Sequence, residues 1–155
     1  MPLLLSDKIK VSFIAKRVMY PLEKYITFHK KAKVDTAWVE LLTSDAAYMH
    51  AAVFASQAYI VHSSARPTPV ASRQAIIHQS EALRLLRERL SLPSREEGLS
   101  DSTILVVLYF ALHAHFTDDY VTAKNHMDGL HKIVTMRGGL VAFEHNIKLI
   151  IELLK

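Results

Sequence analysis

The residues best equipped for chemistry are nine histidines, scattered along a chain of 155 residues that contains no cysteine. Imidazole titrates near neutral pH and is a common metal ligand, so spacing decides what these residues can do. His113 and His115 are two residues apart and on a helix point to different faces. His126 and His131 are five apart, which misses the i, i+4 step of zinc-binding helices. His78 stands alone in its stretch. Each is expected to be an ordinary exposed or hydrogen-bonded histidine, and no metal site is assigned.

Carboxylates offer little more. Asp118 and Asp119 are adjacent, a spacing that rarely converges on a substrate, and an aspartate pair opening a helix is explained by capping and by the helix dipole. There is no glycine-rich phosphate loop, no G-x-S-x-G elbow and no dinucleotide fingerprint. Gly138 and Gly139 follow a helical stretch, the wrong context for phosphate binding. No catalytic, cofactor-binding or metal residue is therefore assigned, no cofactor is expected, and an enzyme is the least supported class. Arg84, Arg87 and Arg89 come nearest to a basic patch, but Glu81 and Glu88 dilute it. A solvated helix face accounts for them better than a DNA-recognition helix does.

Composition points the same way. Half of the residues are apolar, which excludes intrinsic disorder, and only four glycines and five prolines occur, which favours long helices over turn-rich β architecture. The net charge of +4 is uneven. Residues 1–33 carry eight Lys/Arg against two Asp/Glu, whereas residues 34–155 carry eleven against thirteen. The basic excess is thus an N-terminal property, best read as a solvated terminus. Absence of cysteine fits an intracellular protein. The longest apolar run, Ile104–Leu112, is too short to span a bilayer, so a soluble chain is expected.

The elements that must position these side chains are all helices, about six of them in an irregular bundle. Residues 1–15 are expected to be an irregular arm, and 16–155 the helical domain. A first helix is predicted over Lys16–Lys31 and a short one over Thr36–Leu42. Ser44 is the expected N-cap of an alanine-rich helix reaching about His62. Thr68–Pro69 opens a helix to about Leu90, whose core face is predicted from the heptad Ile76, Leu83, Leu90 with Leu86. Ser100 caps a helix over Asp101 to about His115 that is apolar all round and so central. After a turn at Thr117–Asp119, Tyr120, Ala123, Met127, Leu130 and Val134 mark the next helix, with Gly129 suggesting a close neighbour. Gly138–Gly139 stops it. A last helix, about His145–Leu154, has an apolar face of Ile147, Ile150, Ile151 and Leu154. It either packs back on the earlier helices or belongs to a domain cut short, the second being the expectation.

Three stretches in this order resemble the fungal-specific transcription factor domain, the regulatory region found downstream of binuclear zinc-cluster DNA-binding modules. Thr36–Ala37–Trp38 with Ser44–Asp45–Ala46–Ala47–Tyr48–Met49–His50–Ala51 is similar to the tryptophan and "D-x-A-x-x-H-A" opening of that family's alanine-rich helix. Ala75–Ile76–Ile77–His78 through Leu83–Arg84–Leu85–Leu86 resembles its "A-I-x-H…A-L-x-L-L" helix. Ser100–Asp101 leading to Ala123–Lys124–Asn125–His126–Met127–Asp128–Gly129–Leu130 and then Arg137–Gly138–Gly139–Leu140 resembles its "A-x-x-H-x-x-G-L…R-G-G" run. The resemblance covers roughly residues 16–155, and its motifs are packing and capping signatures rather than catalytic ones.

The resemblance implies a nuclear regulatory domain that restrains or releases an activation function. Its partners would be proteins of the transcription machinery, an intramolecular activation region, or a small effector, without membrane association. The family's six-cysteine zinc cluster is absent from this chain, so direct nucleic-acid contact by that route is excluded. A second reading is a helical scaffold of the tetratricopeptide type, because the hairpin Leu105–Val134 resembles one such repeat. No 34-residue period recurs elsewhere, which argues against an array.

Overall fold

The computed structural model describes residues 37–63, 69–92, 98–146, 149, 150 and 153. The expected arm over 1–15, the helix over Lys16–Lys31 and the cap at Thr68 lie outside them. Every regular element among the described residues is helical: α1 (Ala37–Ser44), α2 (Ala46–Ser63), α3 (Pro69–Ser91), α4 (Asp101–Phe116), α5 (Tyr120–Met136) and a short 3-10 turn at Leu140–Phe143. No helix among them is long and apolar enough to cross a membrane.

Two antiparallel hairpins make up the bundle. In the first, α2 and α3 pair so that Asp45 meets Arg89, His50 meets His78 and Gln57 meets Gln74. In the second, α4 and α5 pair so that Asp101 meets Arg137 and Phe110 meets His126. The hairpins join through α2 and α4, which run parallel: Asp45 lies against Ser102, Tyr48 against Tyr109 and Phe54 against Phe110. As its all-round apolar sequence requires, α4 is the central helix, with Ile104, Val106, Val107, Leu108 and Phe110 buried.

Close approach in the first hairpin depends on alanine. Among the described residues of α3 the buried positions are Ala75, Ala82 and Leu86, which share the main core with Ala47 and Ala51 of α2. The seam is therefore rotated by one residue from the predicted heptad: Ile76 is 61% exposed, Leu90 is half exposed, and Leu83 is only partly buried. Small side chains won because two helices can approach closely only where neither carries bulk. On α5, Ala123 and Leu130 of the predicted series are buried and Val134 packs against the core, joined by buried Ile133, while Tyr120 and Met127 face solvent.

Helix ends follow local chemistry. Ser44 is the last residue of α1, its hydroxyl donating back to the Glu40 carbonyl at 2.7 Å, so it does not cap α2 as expected. The cap is Asp45, whose carboxylate accepts from the Tyr48 amide at 2.9 Å. Ser100 caps α4 and Asp119 caps α5 through the Thr103 and Thr122 amides. At the end of α5 the Gly138 amide returns to Thr135 and the Gly139 amide to Val134, the paired bonds of a Schellman stop. Both glycines take positive φ, 111° and 77°.

One further expectation is corrected. A Cβ built at Gly129 would meet nothing within 4 Å, so no neighbour requires that glycine. Of the expected C-terminal face, Ile150 lies against the main core beside buried Leu149 and partly buried Leu153, whereas Ile147, Ile151 and Leu154 lie outside the described residues.

Candidate functional site

Several side chains that sequence spacing left as solvated or capping residues converge at the helix junctions. Asp45 begins α2, Arg89 ends α3, and Ser102 and Thr103 begin α4, so the fold brings three helix ends together. Arg89 donates to Asp45 Oδ1 at 2.8 Å, to Ser102 Oγ at 3.1 Å and to Thr103 Oγ1 at 3.2 Å. Ser102 Oγ in turn donates to Asp45 Oδ2 at 2.5 Å. The Asp45 and Arg89 side chains are only 14% and 16% exposed. Burial pushes the Asp45 carboxyl up, but hydrogen bonds from Arg89, Ser102 and the Tyr48 amide outweigh it and hold the group below its ordinary 3.8.

Arg89 was the least expected member. Its neighbour Arg84 does lie on the solvated face, bonded to Glu81 and Glu88. Arg89 instead occupies the heptad position that continues Ala75 and Ala82, and it turns inward. The alanines were the available signal, outweighed by the larger Ile76, Leu83 and Leu90.

A second polar tie closes the other hairpin. The Arg137 guanidinium donates to Asp101 Oδ1 and, at 3.1 Å, to the Leu99 carbonyl. It also lies 4.4 Å from the ring centroid of fully buried Phe143, a cation–π placement. Asn146 completes the set, donating to Asp101 Oδ2 at 2.7 Å while its own oxygen accepts from the Leu149 amide. The arginine that precedes the glycine pair thus grips the start of α4, and the Schellman stop aims the following chain across it.

Further along α4 from the ties runs a column of rings. His113 meets Phe54 edge-on at 4.6 Å, Phe54 stacks on Phe110 at 5.5 Å, and Phe110 stacks on His126 at 5.6 Å. Burial pushes both imidazoles below 6.5, with Asp119 partly opposing the effect at His126. His115 is exposed beside Phe116 and Tyr120, so His113 and His115 do face different ways. His78 is not alone: its Nδ1 lies 2.8 Å from that of His50.

Chemically, these polar groups are spent on one another. Carboxylates face guanidinium groups, hydroxyls bridge them, and imidazoles lie on phenyl rings. Among the described residues no three His, Asp or Glu side chains come together in a way that could hold a metal ion.

A bundle of helical hairpins, tied at its junctions by partly buried charge pairs, defines an all-helical packing domain. The particular family follows from comparison: the fungal specific transcription factor domain family matches residues 25–154, and the chain belongs to it. Neither the curated proteins nor the solved structures contain a match. The family is one of transcription factors and is not an enzyme family.

Proposed function

We propose that this chain is the regulatory, protein-contacting domain of a fungal transcription factor, acting in the nucleus by restraining or releasing an activation function without touching DNA itself. The carrying observation is the use of the family motif. Asp45 of the first motif stretch, and Asp101 and Arg137 of the third, are engaged in ties between helices. A domain so built transmits a binding event at its surface by changing how its hairpins sit together, because packed interfaces shift between discrete arrangements rather than deform smoothly.

Fusion of the chain between a heterologous DNA-binding module and an activation region tests this in a yeast reporter. Reporter output is expected to change several-fold relative to a fusion carrying an inert helical domain of equal length. Equal output from the two fusions would contradict the reading. A DNA titration in about 0.1 M salt forms the second arm, where sequence-independent phosphate contacts are still measurable. The purified chain is expected to leave a labelled duplex free, and specific binding would overturn the claim.

A further inference from the structure

We propose that His50 and His78 form a proton-gated clasp between α2 and α3, closed while the pair holds at most one extra proton and released by a second. Their Nδ1 atoms lie 2.8 Å apart, with ring centroids separated by 5.0 Å and planes tilted by 38°. The contact sits midway along the first hairpin, between the Asp45–Arg89 tie and the Gln57–Gln74 hydrogen bond at 3.2 Å.

The three protonation states follow from the inventory of an imidazole. A nitrogen-to-nitrogen bond needs one Nδ1 that carries hydrogen and one that presents a lone pair. Two neutral rings satisfy this as opposite tautomers. One added proton turns the donor ring into imidazolium and keeps the bond, now charge-assisted. A second added proton places hydrogen on both Nδ1 atoms. The bond is then lost, and two like charges face each other across the helix interface.

The surroundings set the threshold. On α3, Glu81 favours a proton on His50 and Arg84 opposes it, with Arg84 itself bonded to Glu81 and Glu88. Burial outweighs the help from Glu81, so His50 is held below its ordinary 6.5. From α4, His113 lies on Phe54, one turn along α2 from His50, while the charge of Asp45 is engaged by Arg89. The ionisable side chain of α1 is the exposed Glu40.

Hydrogen exchange of the full chain, corrected for the intrinsic pH dependence of the chemistry, tests the clasp. Between about pH 7.5 and pH 5, the range in which histidine charges, amides near His50 and His78 should lose roughly ten-fold in protection. In His78→Phe, protection at these sites is expected to be lower at the higher pH, and this step is expected to vanish. The step on the α4–α5 hairpin, which carries His113 and His126, should remain. The same step around His50 in wild type and variant would overturn the proposal. Nitrogen NMR of the wild-type rings needs no variant: the pair should titrate in two steps separated by at least about one pH unit. Two independent, single titrations would also overturn it.

Discussion

At the residue scale, the clearest contrast is among the glycines. Gly129 lies in α5 with open space where a Cβ would go, so it contributes conformational freedom to the unfolded chain and nothing to packing. Gly129→Ala is expected to stabilise the chain by up to about 1 kcal/mol, measured as a higher urea midpoint at unchanged slope. Gly138 has φ of 111°, and an L side chain there is strained whatever space is available. Gly138→Ala should lower the midpoint, at a cost of about 1–2 kcal/mol. Sequence placed the second glycine correctly, because a helix stop is a local event. It set the first within its helix but gave it a close neighbour that is not there, because the proximity of a neighbour is a tertiary fact.

At the element scale, Asp45 does two jobs that substitution can separate. Asp45→Ala removes both the cap of α2 and the partner of Arg89 and is expected to cost about 3 kcal/mol, the low end for a buried pair that loses one member. Asp45→Asn keeps an oxygen for the Tyr48 amide and should cost about 1 kcal/mol less. Equal losses in a thermal melt would show that capping is irrelevant here. Among the described residues, the helices, their order and most of their ends are legible in the sequence, since caps, prolines and glycine stops are written within a few residues of where they act. Facing was less legible. On α3, large residues one position away mask the Ala75–Ala82 seam, and nothing local to Arg89 distinguishes it from a surface charge, since its partner Asp45 is 44 residues away. Neither tie could be read from spacing, because Asp45 and Arg89 come from opposite ends of a hairpin and Asp101 and Arg137 do the same.

At the scale of the whole molecule, acid should weaken the fold in two stages. His50, His113 and His126 are held below 6.5 chiefly by burial, so the unfolded chain takes up protons that the folded chain resists. Stability is therefore complete above about pH 7 and is lost as pH falls below 6.5 toward the folded values. Asp45, held below 3.8, adds a contribution present above that value and lost as pH falls through its lowered one. Denaturant midpoints taken across this range check both stages. A flat profile between pH 7 and pH 5 would contradict the placement of the buried imidazoles.

The same scale holds the central claim, that the family motif is a lock between helices rather than a ligand site. A double-mutant cycle on Asp101 and Arg137 tests it most directly, with equilibrium unfolding of wild type, Asp101→Asn, Arg137→Met and the double variant. The lock predicts that each single change destabilises the chain and that the pair couples by about 1–3 kcal/mol. Additive, near-zero losses combined with a dead reporter fusion for Arg137→Met would contradict it, because Arg137 would then be serving something outside the fold.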